Sequence, residues 1–177
     1  GTLEEIDALA SRGGVMAGMT LMEREFVKDE VIRRELRRRN AVEPLIGALT
    51  HYAGTVRRSA AHVLGRLRAT RAVEALGMAL YDMHDEVGHA AAQSLAGFGT
   101  AALGVLGEAL QHPEAGIRLH AVWALTRIKD ARILPLVTET LKDPDRQVLK
   151  QVIQSLGELR DPRALPVLTP IADDRSN

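Results

Sequence analysis

A short apolar block returns about every 31 residues along this chain, and that recurrence limits the fold more than any other feature. Ala41-Val42-Glu43-Pro44-Leu45 comes back as Ala72-Val73-Glu74-Ala75-Leu76 and as Ala102-Leu103-Gly104-Val105-Leu106. It returns again as Ile133-Leu134-Pro135-Leu136-Val137 and as Ala164-Leu165-Pro166-Val167-Leu168. A second block follows in step. It opens at Val56, Val87, Ile117 and Val148 and continues through Ala60-Ala61, Ala91-Ala92, Ala121-Val122 and Val152-Ile153. It closes on Leu64, Leu95, Leu125 and Leu156, then on Leu67, Phe98, Ile128 and Leu159. Apolar positions at i, i+4, i+5, i+8 and i+11 form one stripe of a helix, whereas a strand would alternate every second residue.

Each unit therefore reads as a first helix (A), a turn, a second helix (B) and a loop. Asp143-Pro144-Asp145 and His112-Pro113 place proline where a helix cannot easily continue. Ala53-Gly54-Thr55 offers a glycine and a hydroxyl expected to cap the next helix, and Asp161-Pro162-Arg163 separates the fourth unit from a fifth. Small residues recur in columns, at Ala60, Ala91 and Ala121 and at Gly65, Ala96, Thr126 and Gly157, where helices of adjacent units are expected to approach closely. No unit this short can bury its apolar stripe alone, so the units must stack into a continuous core.

The expectation is an all-α, right-handed α-solenoid, a superhelix of short helix pairs. Four repeats cover 41–71, 72–101, 102–132 and 133–163, and a half repeat occupies 164–177. Residues 1–40 leave the register and read as an irregular N-terminal helical cap, with one helix from Thr2 to Arg12 and a longer one opening at Thr20. The half repeat carries Leu165, Leu168 and Ile171 without a B helix to cover them, so a longer natural chain, a partner or a second copy is expected at that end.

The pattern resembles the short HEAT-like repeats of the phycobilisome-lyase type. The matching residues are Asp161-Pro162-Arg163-Ala164-Leu165-Pro166-Val167-Leu168, Asp143-Pro144-Asp145-Arg146-Gln147-Val148 and Leu156-Gly157-Glu158-Leu159. These are packing residues, so the resemblance speaks to fold rather than chemistry. It implies an inner, concave face built from the B helices. It also raises two activities. A HEAT-like di-iron hydroxylase would need His-Glu pairs on the inner helices, but Ala90 follows His89, and the other units carry Arg58-Ser59, Leu119-His120 and Lys150-Gln151. That activity is rejected. Bilin attachment stays as an alternative for which no residue here identifies a site.

Composition narrows the remaining classes. Aromatics are only 3% of a chain that is 46% hydrophobic, which favours close Ala/Leu helix packing. Lys plus Arg and Asp plus Glu are equal at 23, so overall charge selects neither nucleic acid nor an anionic membrane. The absence of Cys removes disulfides and thiolate metal sites. No membrane-spanning apolar run is read from the sequence, and a cytoplasmic location is expected. No cofactor or metal is expected: His84 lies in a turn and His89 in the helix beyond it, and Asp82, Asp85 and Glu86 read as a solvated acidic turn. No catalytic triad, phosphate loop or dinucleotide fingerprint is present.

The leading function is a non-enzymatic protein-interaction scaffold or regulatory adaptor. Its site residues on the B helices are Arg58, His62, Arg66, His89, Gln93, His120, Trp123, Arg127, Lys150 and Gln154. They fall in four columns: Arg58, His89, Leu119 and Lys150; Ser59, Ala90, His120 and Gln151; His62, Gln93, Trp123 and Gln154; Arg66, Gly97, Arg127 and Glu158. Trp123, the single Trp, is either a binding anchor or a ring that completes the core. Charge is uneven: residues 41–71 carry Arg57, Arg58, Arg66, Arg68 and Arg71 against Glu43, while 72–102 carry Glu74, Asp82, Asp85 and Glu86 without a cation. A third reading follows, a phosphate-backbone site spanning Arg37 to Arg71, though aromatic residues for base stacking are lacking there apart from Tyr52.

Overall fold

The computed structural model describes residues 42–159. The cap over 1–40, the half repeat over 164–177 with any self-association through it, and Arg37 all lie outside the described residues. Every regular element among the described residues is helical. The chain divides into two compact units, one ending at Phe98 and the other starting at Gly99.

In the first unit, α1 (Val42–Ala48) turns into α2 (Gly54–Leu67), and a 3-10 turn at Thr70–Ala72 leads to α3 (Val73–Ala79) and α4 (Asp85–Phe98). The second unit repeats this plan. A 3-10 turn at Gly99–Ala102 opens α5 (Leu103–Ala109), followed by α6 (Ala115–Leu125), α7 (Ile133–Glu139), a 3-10 turn at Thr140–Lys142, and α8 (Arg146–Leu159). Helices as short as α1, α3, α5 and α7 have no stability of their own and exist because they pack. Each A helix lies on its own B helix, and B packs on the following B: α2 on α4, and α6 on α8.

The stripe of the sequence is the core of the structure. Leu64, Leu95 and Leu125 have no exposure and Leu156 has 1%. Val56, Val87, Ile117 and Val148 are buried beside them, with Ala60, Ala91 and Ala121 sealed between helices. Each fully buried Leu contributes about 2 kcal/mol of burial free energy.

Two of the small-residue positions separate in meaning. A Cβ on Gly65 would sit 2.6 Å from Ser94 Cβ and 2.9 Å from its Cα, so α2 and α4 need glycine there. The buried Ser94 hydroxyl donates to Ala61 O at 2.8 Å across the same contact. At Gly157, by contrast, a Cβ would meet nothing within 4 Å among the described residues.

Helix ends are closed mainly by backbone. Arg68 ends α2 in the left-handed region (φ 53°), where its N–H reaches back to Gly65 O and Leu64 O. The expected Thr55 cap does not form: Ala53 is the N-cap and makes no side-chain bond to the helix. At α8 the expected turn chemistry is present, since Asp145 Oδ1 accepts the N–H of Gln147 at 2.8 Å.

The stretch Asp85–Ala109 is long and apolar enough to cross a membrane by length and composition, contrary to the sequence reading. It is not one uninterrupted α-helix. Gly99, at φ 62°, ends α4 in the left-handed region. Within its unit, α4 buries Val87, Ala91 and Leu95, which is the pattern of a core helix.

Candidate partner-binding face

The A–B turns carry a regular device that bears on which side chains remain for a partner. Residues 51, 82, 112 and 143 hold the same turn position and alternate His, Asp, His, Asp. Each accepts the backbone N–H two residues on: His51 Nδ1 from Ala53 at 3.1 Å, Asp82 Oδ1 from His84 at 2.9 Å, His112 Nδ1 from Glu114 at 3.1 Å, and Asp143 Oδ1 from Asp145 at 2.9 Å. Asp and Asn commonly hold turns this way, and here His does so as well.

Buried arginines then tie successive turns together. Arg57 Nη1 donates to His51 O at 2.7 Å and Tyr52 O at 3.0 Å. Its Nε and Nη2 grip the Asp82 carboxylate at 2.5 and 2.8 Å. Two repeats further on, Arg118 does the same with His112 O and Pro113 O, both at 2.8 Å, and with Asp143 at 2.7 and 2.8 Å. The side chains of Arg57 and Asp82 are each 10% exposed. The Arg57 hydrogen bonds hold the Asp82 carboxyl below its ordinary range against the opposing pull of burial, with the His84 N–H adding to them. Arg118 lowers Asp143 in the same way, the Asp145 N–H assisting.

The expected site residues sort by unit. In the first, Arg58, His62 and Arg66 on α2 are half-buried, while His89 and Gln93 on α4 are exposed. In the second, His120 and Trp123 on α6 are half-buried, Arg127 follows that helix in the open, and Lys150 and Gln154 on α8 are exposed. The second of the expected columns is split: Ser59 and Ala90 are buried at 7% and 1%, whereas His120 and Gln151 are half-buried.

Trp123 takes neither extreme of its two sequence readings. Its ring is half-buried, and the Arg127 guanidinium carbon lies 3.6 Å from the ring centroid. Arg127 Nη1 also donates to Trp123 O at 3.1 Å, an acceptor shared with Thr126 Oγ1 at 3.1 Å. The cation therefore closes the C-terminal turn of α6 and is held both by the indole ring and by a backbone carbonyl. On α8, Gln154 Nε2 donates to Glu158 Oε1 at 2.9 Å.

The uneven charge of the first unit resolves into contacts. Arg57 pairs with Asp82, Arg58 with Glu86 at 2.9 Å, and Arg71 with Glu43 at 2.7 Å. Arg68 donates to Gly97 O. Arg57 and Arg58 thus meet acids of the next repeat and Arg71 an acid of its own, which leaves fewer cations to face a phosphate backbone. The run at 82–89, the densest in metal-ligand types, is not the solvated acidic turn expected: Asp85 and Glu86 lie in the first turn of α4, and Asp82 is nearly buried and committed to Arg57 and to the turn before that helix.

A family model for HEAT repeats matches residues 30–96 and 103–177. No curated protein matches the chain. Among solved structures, the chain is similar to the complex of CpcE and CpcF of phycocyanin lyase from Nostoc sp. PCC7120. That match has 26% identity and a TM-score of 0.56, over 73% of this chain and 57% of that one. The chain thus spans little more than half the length of that relative. An engineered protein matches at 20% identity and TM-score 0.58, over 96% and 84% of the two chains. A designed armadillo repeat protein in complex with the peptide (KR)4 matches at 17% and 0.54, over 94% and 90%. The last two show the fold alone. The repeat period, the helix pairs and the family match agree, and the chain belongs to the HEAT repeat family, its units being HEAT-like repeats of the phycobilisome-lyase type.

Proposed function

We propose that this chain is a non-enzymatic protein-binding scaffold or regulatory adaptor that engages its partner on the B helices. In the first unit the face comprises Arg58, His62, Arg66, His89 and Gln93. In the second it comprises His120, Trp123, Arg127, Lys150 and Gln154. The observation that carries this reading is the state of Trp123, a half-buried indole bearing a fixed guanidinium at 3.6 Å. A rigid aromatic anchor beside an arginine, on a ridge of polar side chains, is the composition of a binding hot spot. Core packing alone would bury the ring, as it buries Leu125 two positions on.

The test is a pull-down from the source organism with the native chain and with Trp123→Ala, after confirming that both melt at the same temperature. The expected result is a specific protein retained by the native chain and lost with Trp123→Ala. Equal recovery by both chains would refute the assignment.

The likeness to the CpcE–CpcF complex favours one alternative, a bilin-lyase-like or other small-ligand role. Visible absorbance that develops and persists on the chain after a bilin is added would support it. Phosphate-backbone binding through Arg37 to Arg71 is weaker, because Arg57, Arg58 and Arg71 are paired with acids.

A further inference from the structure

The charge on the B-helix face of the second unit points to what kind of protein segment it takes. Arg127 and Lys150 are exposed on it, and Glu158, at the end of α8, is the one acid in the columns these residues occupy. Glu158 is itself held by Gln154. Arg127 is not a waving surface cation. Its guanidinium carbon lies 3.6 Å over the Trp123 ring and one nitrogen is bound to Trp123 O, so much of the cost of ordering it is already met. The guanidinium has five N–H donors in a fork that matches a carboxylate, and the bond to Trp123 O uses one. Two repeats earlier in the chain only part of the set recurs: Arg66 and Gln93 match Arg127 and Gln154, but His62 stands in place of Trp123 and His89 in place of Lys150.

We infer that the second unit's B-helix face binds an acidic, carboxylate-bearing peptide segment, with Arg127 on its Trp123 platform as the anchor and Lys150 as the second cation. The inference rests on the scaffold reading above and names the chemistry of its partner. Trp123 supplies apolar area and fixes Arg127, Arg127 grips a carboxylate bidentately, and Lys150 attracts a second acid as a point charge. Glu158 sits one repeat further along the column of Arg127 and competes with the incoming carboxylate.

The experiment titrates the full chain with short polyglutamate, polylysine and oligothymidylate probes at low and physiological salt, reading the fluorescence of its single Trp. Polyglutamate is expected to change Trp123 emission saturably, with affinity that falls as salt rises. Polylysine is expected to have no effect. Arg127→Gln, whose side chain is exposed and outside the core, is expected to weaken polyglutamate binding about tenfold, and Glu158→Gln to strengthen it about threefold. No saturable response to polyglutamate, an equal response to polylysine, or unchanged binding by Arg127→Gln would each overturn the inference. Tighter binding of oligothymidylate than of polyglutamate would overturn it in favour of nucleic acid. If polyglutamate fails while Trp123→Ala still loses the protein recovered by pull-down, the acidic assignment falls and the scaffold reading stands. If both fail, the face itself is wrongly assigned.

Discussion

Arg57 and Arg118 separate what holds the molecule together from what it offers a partner. Each is an arginine buried at 8% exposure, with acceptors for its donors on two consecutive turns. Replacing Arg57 by Met leaves Asp82 nearly buried without its cation. The expected cost is about 3 kcal/mol in urea denaturation, since breaking one side of such a pair strands the other charge. Acid should act on the same contacts. Asp82 and Asp143 have native pKa values below their unfolded ones, so their stabilisation is present above the unfolded value of about 3.9 and is lost as pH falls through the native values. Native chain should therefore lose stability steeply below about pH 4. In the double variant Arg57→Met, Arg118→Met that slope should flatten, leaving the share of Asp130, which Arg132 holds at about 2. An unchanged acid slope would show that the pairs contribute nothing. Neither arginine is identified by the apolar pattern. A polar residue beside the apolar stripe reads as surface, and Arg57 entered the sequence reading only as part of a basic repeat. The usable signal was the exact-type recurrence of His, Arg and Asp two repeats apart, His51, Arg57 and Asp82 returning as His112, Arg118 and Asp143.

At the scale of elements, the apolar stripe was legible because helical period and burial are two views of one geometry. Leu64, Leu95, Leu125 and Leu156 are where the spacing put them. The small-residue columns were legible only in part, because a glycine in sequence does not say whether a neighbour fills the space its missing Cβ leaves. Gly65 has Ser94 against it and Gly97 has nothing within 4 Å. Gly65→Ala should therefore cost about 2 kcal/mol by forcing α2 from α4. Gly97→Ala should be neutral or stabilising by up to about 1 kcal/mol, through helix propensity. Thermal melting of the two variants checks the contrast, and similar melting would contradict the close approach at Ser94. Ser59 and Ala90, expected at the surface, are buried for a related reason. B helices pack on the next B helix as well as on their own A helix, so the buried arc is wider than the stripe of one unit implies.

Across the whole chain, repetition explains why the fold is plain in the sequence and the function is not. Positions that recur do so because they pack, and the positions that could recognise a partner are those where the repeats differ. Trp123 was visible as an outlier in a polar column, but its coupling to Arg127 needed the turn geometry at the end of α6. The opposite charges of the first two repeats looked like two surfaces and are in large part pairs between neighbours, as Arg57–Asp82 and Arg58–Glu86 show. The partner face proposed above lies on the B helices. Its most direct test is the hydrogen-exchange footprint of the protein recovered by pull-down on the native chain. Slowed exchange is expected in peptides from α6 and α8, around Trp123 and Lys150, with α5 and α7 unchanged. Protection confined to α5 and α7 would contradict it.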